Sequence, residues 1–266
     1  MMVVTDDLLN VVNLKKQFGG ILALTKVNFK VRKGQIKALI GPNGAGKTTI
    51  FNLISGLYLP TAGRIYFKGI QIDGLPPYTI AQKGISRSFQ NVHIFGNMSV
   101  WENVMVGCHC RTKAGILEAI FSSRRARDEE KIIRKRSMEM LEFTGLKDRA
   151  FKEAANLTFQ EQRLVEFARA LATQPDLLLL DEPASGLNVR EAKEMARFIL
   201  RIRDRGITVF LVEHVMDLVM EISDEVAVLN SGEIIAEGTP KQVQNDERVI
   251  SAYLGEETEN AEDKES

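Results

Sequence analysis

Residues 36–54 read Ile36-Lys37-Ala38-Leu39-Ile40-Gly41-Pro42-Asn43-Gly44-Ala45-Gly46-Lys47-Thr48-Thr49-Ile50-Phe51-Asn52-Leu53-Ile54. The first five are nearly all apolar, as in a strand buried on both faces. From Thr48 to Ile54 the spacing predicts a helix. Between them, Gly41 to Thr48 fits G-x-x-x-x-G-K-[ST] without a mismatch. Glycines let a backbone curl so that several N–H groups aim at phosphate oxygens. A helix opening at Lys47 adds its positive dipole end. Lys47 is spaced to reach β- and γ-phosphates, Thr48 offers a hydroxyl to Mg²⁺, and Thr49 can add an α-phosphate contact. Gly41, Pro42, Asn43, Gly44, Ala45, Gly46, Lys47, Thr48 and Thr49 are therefore candidate residues for a nucleoside triphosphate. A chance glycine-rich turn would not be expected to have both a strand before it and a helix after it.

A second stretch answers the first. Leu177-Leu178-Leu179-Leu180-Asp181-Glu182-Pro183 reads as a buried strand ending in two carboxylates. Open α/β sheets hold ligands at the C-terminal ends of their strands. Asp181 can hold Mg²⁺ directly or through water, and Glu182 can orient or deprotonate a water for attack on a γ-phosphate. A GTPase, a kinase and a RecA-like motor remain open at this point. No N-K-x-D guanine-reading motif occurs, which counts against the GTPase.

Outward from these motifs the chain alternates. Before the loop, Val27, Phe29 and Val31 alternate with Asn28 and Lys30, and Ile65 to Ile72 turns at Lys68-Gly69 like a hairpin. The first third reads as short strands forming an antiparallel edge. From about Val100 to Arg163 the pattern is helical and charged, with nine Lys/Arg and four Asp/Glu between residues 111 and 136. That run is either a solvated helix face or a face near anionic lipid headgroups. From Leu164 the sequence predicts a helix to about Thr173, strand Leu177–Leu180, helix Val189 to Arg203, strand Thr208–Val212, helix Val215–Ile222 and strand Glu225–Leu229. Helices between buried strands predict an α/β fold with a parallel sheet, an antiparallel β subdomain and a helical insertion.

Five further segments, in order, resemble those of the ATP-binding-cassette (ABC) ATPases. Phe18 in Gln17-Phe18-Gly19 corresponds to the aromatic that stacks on adenine, and Gln90 in Ser88-Phe89-Gln90-Asn91 to the glutamine that contacts Mg²⁺ or the water. Leu157 to Arg169 is similar to the signature motif and its helix. Ser185-Gly186-Leu187-Asn188 is similar to the D-loop, and His214 in Val212-Glu213-His214 to the histidine on the γ-phosphate. The resemblance spans roughly residues 8 to 255. It divides that stretch into a RecA-like core of about 8–90 and 165–240 and a helical subdomain of about 98–164. Residues 256–266 read as an acidic, disordered tail. Within the family, Phe18-Gly19-Gly20, Gly84 to Asn91, the insertion after Asn103-Val104, Ala184 to Asn188 and Glu213-His214 resemble the branched-chain amino-acid importers.

The resemblance implies a P-loop ATPase that uses ATP and Mg²⁺. It implies a second ATPase subunit, or a copy of this chain, in a head-to-tail dimer. It also implies transmembrane permease subunits, an external solute-binding protein reached indirectly, and a place on the cytoplasmic face of the inner membrane. Glu182, His214, Gln90 and Lys47 would carry the chemistry, and Thr48, Gln90 and Asp181 the ion. Urea import, lipid export, a soluble ABC ATPase and a binding module with crippled hydrolysis are the alternatives. Lys+Arg and Asp+Glu are 35 each, and this balance argues against nucleic acid, whose binders usually carry a basic excess. No apolar run reaches the length of a membrane span. Cys108 and Cys110 are too close in sequence for an unstrained bridge and read as free thiols. The chain departs from the family signature at Leu157-Thr158-Phe159-Gln160-Glu161-Gln162. Gln160 stands where the family has a glycine and Glu161 where it has a glutamine, so hydrolysis at a partner's site is expected to suffer.

Overall fold

The computed structural model describes residues 6–88, 93–110 and 124–253. In chain order the strands are β1 (Asp7–Phe18), β2 (Ile21–Arg32), β3 (Ile36–Ile40), β4 (Ala62–Phe67), β5 (Ile70–Gln71), β6 (Ile85–Arg87), β7 (Leu177–Asp181), β8 (Thr208–Val212), β9 (Glu225–Asn230) and β10 (Glu233–Gly238). The helices are α1 (Lys47–Ile54), α2 (Pro77–Lys83), α3 (Val100–His109), α4 (Arg124–Thr144), α5 (Phe159–Ala172), α6 (Val189–Asp204), α7 (Met216–Ile222) and α8 (Pro240–Gln244). They fall into two compact units, one running to Ile80 and resuming at Leu179, the other Ala81–Leu178.

In the first unit, β2-β1-β4-β5 form an antiparallel sheet, and a second sheet runs β10-β9-β3-β8-β7. β3 pairs in parallel with both β8 and β9, while β10 turns back antiparallel to β9. All five residues of β3 and of β8 are buried, as their unbroken apolar runs predict. The polar exceptions are Thr208, which opens β8, and Lys37, fully buried, whose Nζ lies 3.0 Å from a Glu225 carboxylate oxygen and also pairs with Glu237. A buried ammonium persists only with such partners. Phe210 of β8 meets Phe29 of β2 and Phe51 of α1, each at 5.2 Å between ring centroids, so one aromatic cluster joins both sheets and the first helix.

The expectation of short strands in the first third is corrected by β1 and β2, which run twelve residues each. Their pairing shifts register between Val11 and Leu14, and Asn13 in that gap has φ 46. Such bulges break the two-residue period while the strands continue.

In the second unit, α3, α4 and α5 pack on one another around Val104, Cys108, Ile133, Leu141, Val165 and Ala168. Ser99 caps α3 through a reciprocal bond with Glu102. A Cβ on Gly107 would lie 2.1 Å from the Arg169 carbonyl oxygen, so the absent side chain lets α3 and α5 touch backbone to backbone. Both cysteines are free. Cys108 is buried, and burial pushes its thiol up to about 11, whereas Cys110 is exposed. The charged run is partly paired within α4, with Arg134 3.0 Å from Glu130 and Lys131 3.8 Å from Asp128. These pairs suit a solvated face, although residues 111–123 of that run, like the acidic tail, lie outside the described residues.

Candidate nucleotide site

Three strand ends of the first unit share one edge of its sheet. β3 stops at Ile40, with Leu39 level with Val212 of β8. β7 stops at Asp181, and the Glu182 N–H donates to the Val212 carbonyl at 2.9 Å. The glycine-rich loop, the acid pair and Glu213-His214 therefore leave the sheet side by side, where ligands bind in open α/β folds.

The loop's glycines are needed for two different reasons. A Cβ on Gly41 would lie 1.9 Å from the Leu229 carbonyl oxygen, and one on Gly46 2.9 Å from the Ala23 carbonyl oxygen. Gly44 has open space around it but φ of 76°, a conformation that only glycine adopts without strain. The Gly232 N–H donates to the Ala45 carbonyl at 3.1 Å, so the turn between β9 and β10 braces the loop. Pro42 and Ala45 are buried, Asn43 and Thr48 are exposed, and Thr49 is half-buried. Gly46 is the N-cap of α1. No side chain caps that helix and no acid lies in its first turn, so nothing there offsets its positive end. Lys47 Nζ donates to the carbonyls of Gly41 at 2.5 Å and Pro42 at 2.7 Å. A cation folded into a glycine loop at a helix start is a cradle for polyphosphate.

Asp181 is almost fully buried, and the Glu182 side chain is 22% exposed. Glu182 has φ 48, a left-handed backbone that a non-glycine residue adopts under strain. The bond to Val212 holds it, as does the Ser185 N–H, which donates to its carbonyl at 3.1 Å. His214 is more than half exposed, with Nδ1 3.8 Å from a Glu182 carboxylate oxygen. Among the described residues, no group of three or more His, Cys, Asp or Glu gathers to hold a metal unaided. The Thr48 hydroxyl and the Asp181 carboxylate are hard oxygen donors of the kind that would suit Mg²⁺.

Other predicted residues lie elsewhere. Phe18 ends β1, 40% exposed, edge-on to Tyr58 at 5.2 Å and with Lys16 Nζ 4.7 Å from its ring centroid. Gln90 lies outside the described residues. Thr158, Phe159, Gln160 and Glu161 belong to the second unit. There Thr158 is the N-cap of α5. Glu161 accepts its N–H at 3.0 Å and the Arg149 Nε–H at 3.2 Å. Phe159 is 54% exposed, with the Arg163 guanidinium 5.1 Å from its ring centroid. The Glu161 carboxyl is held below its ordinary range, chiefly by the Thr158 N–H and with help from Arg149.

One functional candidate escaped sequence reasoning, which took Glu213 only as the neighbour of His214. Its side chain is fully buried. One oxygen accepts the Ala184 N–H at 2.6 Å, and the other accepts those of His214 at 2.9 Å and Val215 at 3.1 Å. The available signal was an acid directly after an all-apolar strand. Such an acid is buried by position and must find donors.

The chain is similar to known proteins along most of its length. A family model described as ABC transporter matches residues 24–185, and one described as Branched-chain amino acid ATP-binding cassette transporter matches residues 233–259. The high-affinity branched-chain amino acid transport ATP-binding protein LivG of Escherichia coli K12 is 43% identical over 95% of this chain and 99% of its own length. The ADP conformation of MJ1267, an ATP-binding cassette of an ABC transporter, superposes with a TM-score of 0.82 at 33% identity, covering 94% of this chain and all of that one. A dimeric, post-hydrolysis ATP-binding cassette, MJ0796, bound to ADP and Pi, gives a TM-score of 0.73 at 25% identity over 87% of this chain and 98% of that one.

Proposed function

The chain belongs to the ABC transporter family, and we propose that it is the ATP-hydrolysing subunit of an importer for branched-chain amino acids. One observation carries this reading. The glycine loop with Lys47, the Asp181-Glu182 pair and His214 all emerge at one sheet edge. In this reading Gly41 to Thr49 bind the triphosphate, and Lys47 turns from its own loop carbonyls to the β- and γ-phosphates. Thr48 and Asp181 would hold Mg²⁺, with Gln90 a further ligand, and the ion would neutralise charge on the phosphates when bound. Glu182 orients and deprotonates the attacking water, His214 and Gln90 contact the γ-phosphate side, and Phe18 stacks on the base. The output is conformational work, in which dimer closure on ATP is transmitted to membrane subunits.

The partners and place follow from the same reading. LivG is named for branched-chain amino acid transport, and the MJ0796 cassette is a dimer. Among the described residues no helix is long and apolar enough to cross a membrane. The chain would therefore reach the bilayer through permease subunits, on its cytoplasmic face, beside a second ATPase subunit, and be served indirectly by a solute-binding protein. The RecA-like core and the helical subdomain would divide these tasks, the first holding nucleotide and the second carrying the signature loop.

Lys47→Ala tests the reading. Removing the loop's own cation should weaken MgATP binding at least tenfold in equilibrium titration of the full chain and abolish hydrolysis, with the melting temperature nearly unchanged. Equal affinity in the variant and the parent would overturn the assignment of this loop to nucleotide.

A further inference from the structure

The Glu213 carboxylate is fully buried and is hydrogen-bonded by three backbone N–H groups, with the His214 imidazole farther off, its Nδ1 3.9 Å from one oxygen. A carboxylate out of water is costly unless its lone pairs are filled, and backbone donors fill them without adding a counter-charge. The three donors come from two separate segments. Ala184 lies in the turn after β7, two residues past Glu182. His214 and Val215 lead from β8 into α7. One side chain thus fastens the backbone that carries Glu182 to the backbone that carries His214.

The fastening also bears on strain. Glu182 sits at φ 48, a conformation that persists only where its surroundings over-determine it. The Val212 carbonyl fixes the Glu182 N–H, and the Glu213 carboxylate fixes the chain two residues later. His214 Nδ1, 3.8 Å from the Glu182 carboxylate, has its own N–H tied to the same anchor. Loss of the anchor would leave the fold's apolar strands in place while freeing both functional side chains to drift.

We propose that Glu213 is a positioning residue for ATP hydrolysis, holding Glu182 and His214 in mutual register through the three backbone bonds to its carboxylate. The inference rests on the reading that this edge hydrolyses ATP.

The test uses the full chain and two substitutions. Glu213→Gln keeps the volume but turns an NH₂ group toward one set of backbone donors. Glu213→Asp keeps the charge on a shorter arm. Nucleotide affinity is read by equilibrium MgATP binding, and chemistry by single-turnover hydrolysis at saturating ATP. The expected result is an affinity within threefold of the parent in both variants, with hydrolysis at least tenfold slower in E213Q and partly restored in E213D. Equal hydrolysis rates in parent and E213Q would overturn the proposal. So would a parallel fall of affinity and rate, or failure of both variants to fold, either of which makes Glu213 a general support of the fold. A parent chain with no affinity for MgATP defeats the broader functional reading instead, so the two failures are distinguishable.

Discussion

Glu161 shows how a substitution that looks hostile to anions is accommodated locally. Its carboxylate does not hang free. It returns to the Thr158 N–H and takes the Arg149 guanidinium, and the first of these bonds is the larger cause of its lowered pKa. A carboxyl whose folded pKa is depressed contributes stability that is complete above its unfolded pKa and lost as pH falls through the folded one. Glu161→Ala should therefore cost about 1 kcal/mol near neutral pH, the usual worth of a helix cap, and the gap to the parent should close as pH falls below about 4, where an ordinary Glu protonates. Urea unfolding at several pH values checks this, and a gap independent of pH would refute it. Residues of this kind were only half legible in the sequence. Thr158 followed three places later by Glu161 is a capping pattern readable from spacing. Arg149 is twelve residues away, and only the fold brings it to the carboxylate. Glu213 was illegible as a role for the same reason, because its donors at 184 and at 214–215 are joined by tertiary structure alone.

At the scale of elements, sequence period worked where burial was uniform and failed where backbone geometry intervened. β3, β7 and β8 are apolar runs closed by turns or acids, and their bounds emerge within a residue or so of the expectation. β1 was missed because its bulge at Asn13 shifts the phase of alternation. α2, β6 and β10 lack the uniformly buried apolar run that marks β3, β7 and β8. Helix-on-helix contact is equally silent in sequence. Gly107 looks like a weak point of α3, since glycine costs about 1 kcal/mol in a helix interior. Yet an alanine there would drive Cβ to 2.1 Å from the Arg169 carbonyl oxygen. The overpacking should exceed the gain in propensity, so Gly107→Ala is expected to destabilise the protein by about 1–3 kcal/mol. Gly96→Ala meets only the Ala155 methyl at 3.5 Å and serves as the control, with a change within about 0.5 kcal/mol. Denaturant midpoints for the pair decide it. A Gly107→Ala variant as stable as the parent would mean that α3 and α5 separate at no cost.

At the scale of the whole molecule, the nucleotide loop and the signature loop belong to different compact units, and the proposed function has the signature loop serve ATP held by a second ATPase subunit. That division determines where the signature's departures should be felt. Gln160 is half-buried in the first turn of α5, and Glu161 adds a negative charge to the helix end that would otherwise favour a phosphate. Both residues belong to the unit that does not carry this chain's own strand-end edge, so neither is expected to alter the ATP affinity of the isolated chain. The double substitution Gln160→Gly with Glu161→Gln removes the charge. It should leave the cap standing, because a glutamine oxygen can accept the Thr158 N–H as the carboxylate does. Its stability costs are small. The glycine costs about 1 kcal/mol in helix propensity, and losing the exposed Arg149 pair costs at most about 1 kcal/mol. The expected outcome is a several-fold rise in ATP turnover by the assembled transporter, with affinity and rate of the isolated chain unchanged. Parallel assays of the isolated chain and the complex separate the cases. An unchanged rate in the complex would mean that the loop tolerates both departures. A rise in the isolated chain as well would mean that a second copy of this chain serves as the partner.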